Sequence, residues 1–539
     1  MKFGPGNTKS RFSFDSWPII LVLVIAAALR LDNITQPFID DNAWRESSVA
    51  MMAQNFYQTS WNIFYPEVNW VGPGPGYQGR EFQTVSYITA LFYLLLGRHD
   101  WIGRCLAVMF GLLGIFALYR LVGLLWGKPL AITAAALMAL FPGAIRLERS
   151  FLPDPAMVAL VVTSFWMLIL YLQTNRRRYL ILAAVIGGLG ALTKIPGMIV
   201  GLPMAYAAIS ILKHRRILLA DKVARLAIVG ILTVLPVAVY YLWARHIALS
   251  YPPHHFAGEG NWIWDQGLGQ WAGQRFFVSR LWGTLTALWT LPGIVMLALG
   301  IILHLFKKVR KMADANQTIA ERSNDAPWLF HYWMAAGAVY YFIGARELIE
   351  NPSNFHILSP AVAALSAYGV VALASLIFKQ SKQRTLRVAL AALLVIAIGV
   401  WGQRRSRLHS SYARQSYELG LALKSVSRPG DMVVTLGDII GCPVAIYYSE
   451  RRGWLFPPFE DIKDWDMLPR DDEAIEILER LRAEGADWFG VVRSRKDDIW
   501  GARPKFARHI DRTCELKEAG EDAIIYRILG REEMTKPPM

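Results

Sequence analysis

The sequence predicts an α-helical polytopic membrane protein that ends in a small α/β or α+β domain outside the bilayer. Of 539 residues, 54% are hydrophobic and 18% charged, and the apolar residues gather in runs too long for soluble helices. Lys and Arg cluster between those runs, at Arg176-Arg177-Arg178, Lys213 to Arg216, Lys307 to Lys311 and Lys379 to Arg387, and alternate with loops poor in both. From Gln403 onward the composition becomes that of a soluble domain, which divides the chain into 1–402 and 403–539.

The formal charge of +15 invites a nucleic-acid reading, but its clustered distribution is how the positive-inside rule writes topology. No nucleic-acid partner is expected. No GxxxxGK[ST] stands at a strand-to-helix junction, so an ATP-driven pump or a nucleotide-sugar enzyme is poorly supported, and a donor would be delivered in the membrane. Three cysteines, Cys105, Cys442 and Cys514, lack metal-ligand spacing, which argues against a thiolate zinc site. Cys442 and Cys514 share a domain expected in a disulfide-permitting compartment, though two unrelated thiols is the plainer reading.

Taken in order, the basic MKFGPGNTKSR precedes Trp17 to Leu31, an apolar run without a small-residue cleavage site, read as a retained first helix. Lys2, Lys9 and Arg11 inside put the loop 32–101 outside. Ten further crossings are expected: Gly103 to Trp126, Leu130 to Ile145, Pro155 to Leu172, Leu180 to Leu192, Met198 to Leu212, Leu226 to Ala244, Leu281 to Phe306, Trp328 to Gly344, Ile357 to Phe378 and Val388 to Trp401. Every basic cluster then falls inside if Phe82 to Gly97, short for a span, is interfacial or re-entrant, giving about eleven crossings.

The outer loop contains NWVGPGPGYQG, too rich in Gly and Pro for regular helix. In the C-terminal domain DMVVTL, VAIYYS, WFGVV and AIIYRIL read as strands and EAIEILERLRAEG as a helix.

The charged residues that this topology gathers on the outer face are the candidate site. DDNAWRESS supplies Asp40, Asp41 and Arg45, GREFQ supplies Arg80 and Glu81, and RLERSFLPDP supplies Glu148, Arg149 and Asp154. A charge costs at least a few kcal/mol inside hydrocarbon, so these belong at a rim or a polar cavity. Lys194 in TKIP reads as a phosphate contact or a snorkelling lysine. The loop from His246 carries His254, His255, Glu259 and Asp265, with Trp262, Trp264 and Trp271 as interface anchors or sugar platforms. The loop around GARELIENPSNFHILSP adds His356 and Arg346, whose guanidinium suits a phosphate or an ion pair with Glu347 or Glu350. Plainer readings stand beside each: Asp40 and Asp41 as helix caps, Arg45 with Glu46 or Glu81 as a rim ion pair, and Asp154 between two prolines as a helix start.

The segments DDNAWRESSVAMMAQNFY, GREFQTVSYITALFYLLLG, RSFLPDPAMVAL and LTKIPG resemble the polyprenyl-phosphate-dependent GT-C glycosyltransferases of the protein-mannosyltransferase and aminoarabinose-transferase superfamily, over roughly residues 15–215. The resemblance implies a GT-C fold and transfer of a sugar from a polyprenyl-phosphate donor, such as undecaprenyl phosphate in a cell envelope, to a lipid, glycan or protein hydroxyl. It puts the catalytic aspartate at Asp41, with Asp40 as its neighbour and rival, and a second acid at Asp154. Where many relatives carry Lys-Pro this chain has Arg80-Glu81-Phe82-Gln83, leaving Arg80 as the substitute. The chemistry needs a base and cations for the departing phosphate: Asp41 for the first, and Arg45, Arg80, Arg149, Lys194 and Arg346 for the second. Glu81 and Asp154 would orient Asp41 or the acceptor, or hold a divalent ion through hard oxygen ligands. Direct displacement inverts the anomeric carbon, and the expected location is a bacterial inner (plasma) membrane with site and C-terminal domain on the periplasmic or extracellular side. A secondary transporter or a noncatalytic lipid-binding or assembly protein are the alternatives; the first needs polar sites near mid-membrane and paired broken helices.

Overall fold

The computed structural model describes residues 17–215, 220–255, 275–306, 325–380, 383–405 and 411–530. The basic N-terminus, Lys307 to Lys311, Glu259, Trp262, Trp264, Asp265 and Trp271 lie outside the described residues.

The helices follow the apolar runs: α1 (Trp17–Leu31), α2 (Ala43–Gln58), α3 (Thr84–Leu96), α4 (Asp100–Leu125), α5 (Lys128–Leu140), α6 (Pro142–Leu147), α7 (Pro153–Thr174), α8 (Arg177–Thr193), α9 (Gly201–His214), α10 (Ala220–Ser250), α11 (Arg275–Trp289), α12 (Leu291–Leu305), α13 (Leu329–Glu350), α14 (Ser359–Ile377) and α15 (Arg384–Arg405). Prolines start several of them, as at Pro142 and Pro153, where the missing N–H is one a helix start leaves unbonded anyway. Short 3₁₀ turns, Ile195–Val200 and Pro352–Leu358, lead into α9 and α14.

Six described helices are long and apolar enough to cross a membrane, and a bent pair would make seven. That is fewer than the eleven crossings expected: α1 and α5, both counted among the eleven, are apolar but short, as is α3, read as interfacial or re-entrant. At 1.5 Å per residue, thirteen to fifteen residues reach only about 20 Å of a core of about 30 Å.

The run Leu281 to Phe306, read as one crossing, is broken by 96° between Trp289 and Leu291. Thr290 stands at φ 65°, and its hydroxyl accepts the N–H of Gly293 at 3.1 Å, which caps α12 afresh. The run Leu130 to Ile145 breaks likewise, at Phe141 before Pro142.

After α16 (Arg414–Val426), the chain builds a five-stranded sheet in the order β2-β1-β3-β5-β4, from β1 (Met432–Leu436), β2 (Arg452–Leu455), β3 (Trp488–Val492), β4 (Cys514–Ala519) and β5 (Ala523–Ile528). The first three strands run parallel and the last two antiparallel. Short helices connect them: α17 (Val444–Ser449), α18 (Asp471–Ala483), α19 (Lys496–Trp500) and α20 (Pro504–Thr513). VAIYYS, read as a strand, is α17. All six of its residues are buried, and an apolar run buried all round carries no period that separates strand from helix. Cys442 and Cys514 are free thiols, buried in separate apolar clusters.

One face of the sheet packs on α18 and α20 through Ile477, Leu478, Phe506 and Ile510. The other shares a continuous apolar core with the outer loop: Leu419, Val433 and Ile446 cluster with Phe38, Val49, Met52 and Phe56. The backbone joins too, since Gly72 N–H donates to Gly453 O at 2.7 Å and Gly453 N–H to Asn69 O at 3.0 Å.

In the helical part α12 and α14 meet backbone to backbone. A Cβ at Gly300 would run into the Leu365 carbonyl, and one at Gly369 into that of Met296. Gly300→Ala is therefore expected to lower unfolding stability by about 1–3 kcal/mol, as overpacked sites do. Gly230→Ala, with nothing within 4 Å, should be neutral or stabilising. Thermal unfolding of both variants in one detergent is the check, and equal melting temperatures would overturn this close approach.

Candidate active site

Two buried charge clusters form where the outer loop meets the helices. The first is built from α2, the Gln78–Gln83 segment, the α6–α7 junction and the α8 C-terminus. Lys194, just past the end of α8, sends its ammonium to Asp154 Oδ1 at 2.7 Å, with the two side chains 5% and 0% exposed. Asp154 is at this depth because α7 starts at Pro153, which puts the carboxyl in its first turn. Its second oxygen is buried without a hydrogen-bond partner.

Arg80 and Glu81 close the cluster from the outer loop. Arg80 Nε lies 3.9 Å from Glu81 Oε2 and is itself buried without a hydrogen-bond partner. Burial works against the Glu81 charge, but Arg80, Lys194 and Arg45 outweigh it and hold the carboxyl below its usual range. Arg45, one turn into α2, is held by Ser353 Oγ at 2.6 Å from NH1. It lies within electrostatic reach of Arg80, Glu81, Asp154, Lys194 and Glu347.

Three cations and three carboxylates thus converge. Arg45, Arg80, Glu81, Leu152 and Pro153 line a small cavity between them, about 20 Å³, room for roughly one water. Larger apolar spaces lie beside it. One of about 420 Å³ runs between α7, α8, α9 and α10, reaching Ala191 and Gly197 on either side of Lys194. A groove of about 650 Å³ follows the outer side of α8 and α10 past Leu192.

The second cluster separates the adjacent aspartates. Asp40 turns inward, with Oδ2 3.5 Å from Arg104, while Arg104 also holds Glu46 at 3.2 Å and donates to the Gln36 and Pro37 carbonyls. Glu46 in turn accepts the N–H of Phe151 at 2.8 Å. Burial first, and then the Glu46 carboxylate, push the Asp40 carboxyl up to about 7 against the pull of Arg104. Asp41 turns outward, 48% exposed, with Arg146 NH1 3.7 Å from Oδ2.

Other candidates sit elsewhere. Arg149, expected at the phosphate, belongs to the second cluster: NH2 donates to Asn33 O at 3.3 Å, and Arg104, Asp40, Asp32 and Glu46 set its surroundings. Arg346 pairs with Glu350 at 3.1 Å on an exposed face, the plainer of its two readings. Glu148, expected with His356 in a substrate loop, is fully buried and locked to Arg30 at 2.7 Å, with the equally buried His356 Nε2 3.2 Å away. His254 is exposed and turned back on Ala248 O at 3.1 Å. His255 does reach the site; burial first, then Arg80, push its ring down to about 4.

Arg104 and Ser353 are the residues sequence reasoning missed, and Glu46 and Glu347 enter it only as ion-pair partners of Arg45 and Arg346. Arg104 in an apolar helix had a signal, because a charge at that depth requires a partner; Ser353 had none. Among the described residues no three His, Cys, Asp or Glu side chains gather to hold a metal ion. Lys194 already sits on Asp154, so the carboxylate pair Glu81 and Asp154 is a poor fit to a divalent cation.

Comparisons with known proteins bear on this arrangement. The family model described as dolichyl-phosphate-mannose-protein mannosyltransferase matches residues 84–241, which include Lys194 and Asp154. The chain is 26% identical over 180 residues to the putative mannosyltransferase YkcB of Bacillus subtilis (strain 168), covering 33% of this chain and 24% of that protein. The chain thus matches about a quarter of that curated relative's length. Among solved structures, ArnT from Cupriavidus metallidurans bound to undecaprenyl phosphate superposes with a TM-score of 0.61 at 12% identity, covering 98% of this chain and all of that one. The archaeal oligosaccharyltransferase AglB from Archaeoglobus fulgidus, in complex with an inhibitory peptide and a dolichol-phosphate, does so at 0.56 and 13%, covering 93% of this chain and 73% of that one. At such identities the likeness speaks for the fold alone.

The raised Asp40 sets a pH dependence. The folded chain keeps this proton up to about 7 while its ordinary value is 3.8, so its stabilising contribution is full below about 4 and lost as pH rises through about 7. His255 runs the other way, its contribution being lost as pH falls from 6.5 toward about 4. Subtracting one variant isolates the first: the melting temperature of Asp40→Asn should rise relative to wild type between pH 5 and pH 8. A difference that stays flat over this range would remove Asp40 from the buried pair.

Proposed function

The chain has the GT-C glycosyltransferase fold, and from that premise we propose that it moves a sugar from a polyprenyl-phosphate donor to an acceptor hydroxyl at the outer membrane face. The observation that carries this reading is the juxtaposition at Lys194: a cluster of half-buried Arg45 and Arg80 with buried Lys194, beside an apolar cavity that reaches Ala191 and Gly197. A lipid phosphate needs both parts, cations for its head and an apolar channel for its tail. The unspent donor at Arg80 Nε and the unspent acceptor at Asp154 Oδ2 support a site prepared for polar groups of a substrate, since such atoms cost free energy when buried alone.

In this reading the phosphate lies against Arg45, Arg80 and Lys194, which stabilise the charge that grows on it as the bond to the sugar breaks. Asp154 and Glu81 hold those cations in place. Asp41 takes the proton of the acceptor hydroxyl, and its half-exposed position at the rim suits a group that meets an acceptor arriving from water. Asp40, largely protonated below pH 7, is a poorer base at that task and acts by holding the loop. The acceptor oxygen bonds to the sugar carbon as the bond from that carbon to the phosphate breaks, its proton passing to Asp41 and the polyprenyl phosphate leaving, and this direct displacement inverts the sugar carbon.

Asp41→Asn should reduce turnover by about 10²- to 10⁴-fold, the range of general-base catalysis, with donor affinity unchanged. Arg80→Ala should instead weaken polyprenyl-phosphate binding, by roughly 1.5–3 kcal/mol for a charge-assisted contact, and Arg80→Lys should recover part of it because a point charge replaces a fork. Both are measured on purified protein in lipid. Near-normal transfer by the Asp41 variant would defeat its assignment.

The sidedness is tested by single-cysteine labelling from intact cells. Position 41 should label from outside and position 177 only after permeabilisation. Labelling of both from one side would sink the topology and reopen the transporter and assembly readings.

A further inference from the structure

We propose that Trp465 is the stacking platform of an acceptor subsite, and that the acceptor presented there is a saccharide of neutral sugars. This rests on the reading of the Arg45–Arg80–Lys194 cluster as a sugar-transfer centre and extends it to the acceptor, whose class that reading leaves open.

Trp465 lies in the loop between β2 and α18 and is 48% exposed, while Trp454, Phe456, Phe489 and Phe506 nearby are buried. It is the one exposed tryptophan among the described residues of the sheet domain, since Trp488 is also buried and Trp500 half-buried. The ring is nevertheless braced. Gly441, at φ +78°, leaves bare backbone beneath it: a Cβ there would stand 2.8 Å from Trp465 Cζ3. Phe459 meets it edge-on, with centroids 5.7 Å apart. A ring seated on glycine and held by a second aromatic is a fixed surface that loses little freedom on binding.

Two routes lead from this platform to the transfer centre. Through the rings, Phe459 contacts His255 at 5.6 Å, and His255 lies in the field of Arg80 and Glu81. Through the backbone, the Gly441 carbonyl accepts the indole N–H of Trp44 at 2.6 Å, and the Arg80 guanidinium carbon lies 5.9 Å from the centre of that indole. Trp465 therefore stands a few side chains from the phosphate cluster, on the side open to water.

The surroundings select the occupant. A flat aromatic face suits the apolar C–H face of a sugar, with nearby polar groups left to bind hydroxyls. Those groups are acceptors: Glu460, Asp464 and Asp466 lie in the same stretch, while its ammonium, Lys463, is taken by Glu473 at 2.5 Å and its fourth carboxylate, Asp461, by Arg480. Carboxylates accept hydroxyl hydrogen bonds and repel phosphorylated or acidic headgroups, so a neutral saccharide fits where an anionic lipid headgroup does not.

The test uses full-length protein in lipid nanodiscs and neutral hexasaccharides of mannan, glucan and galactan type as probes, with binding read by saturation-transfer NMR. Polyprenyl-phosphate affinity is measured in parallel. Wild type should bind at least one neutral probe, Trp465→Ala about tenfold more weakly, as loss of one stacking contact predicts, and Trp465→Phe in between. Polyprenyl-phosphate affinity and melting temperature should be the same in all three. Neutral probes that bind wild type and Trp465→Ala equally, or bind neither, would overturn the subsite while leaving the donor reading intact, as would Trp465-dependent binding of only a sugar phosphate or a peptide. Failure of wild type to bind polyprenyl phosphate would instead overturn the transfer centre.

Discussion

A charge carried below a membrane surface must bring its partner with it, and this constraint organises the molecule. Lys194 meets Asp154 across 40 residues, Arg104 meets Glu46 across 58, and Arg30 meets Glu148 across 118. None is bought by stability alone, because well-packed apolar residues would often hold a fold as firmly as a buried ion pair. What the pairs supply is register. Each permits one approach of two distant segments and penalises every other by an uncompensated charge. The first loop, the α6–α7 junction and the α8 end are fixed against one another by these pairs before any substrate is considered.

The same constraint explains how two neighbouring aspartates come to differ. A peptide bond joins Asp40 and Asp41, yet one faces Arg104 and Glu46 and the other faces water and Arg146. Burial and a second carboxylate favour the neutral acid at Asp40. The surroundings of the two are thus set apart by orientation rather than by residue type.

Much of this was legible in the sequence. The apolar runs and the alternation of basic clusters marked a polytopic helical protein, and the outer-face reading gathered Arg45, Arg80, Glu81, Asp154 and Lys194, which do meet. Periodicity could not show that Leu281 to Phe306 turns by 96° at Thr290, because a hydroxyl capping a new helix start leaves hydropathy unchanged. Nor could it separate α17 from a strand. Long-range pairing was the deepest gap: Arg149 and Arg104 are both basic residues beside the expected outer loop, and only the folded arrangement shows that Glu46 takes Arg104. Charge in an apolar run announces that a partner exists without saying where it is.

The union of the first outer loop with the C-terminal sheet reaches beyond the fold. Gly72 and Asn69 bond to Gly453, Arg452 reaches Glu67 at 2.7 Å, and Tyr447 and Tyr448 both donate to Asp100. Apolar residues from both parts fill one core. The sheet is therefore no cassette. In a chimera between relatives, a transplanted C-terminal part would arrive without the loop that completes its edge strand, and the recipient loop would meet a foreign surface. Recombination that respects the fold has to cut so that residues 67–77 and the sheet travel together, although more than 350 residues of chain lie between Gly72 and Gly453. The two parts form one packed unit written in two places along the chain.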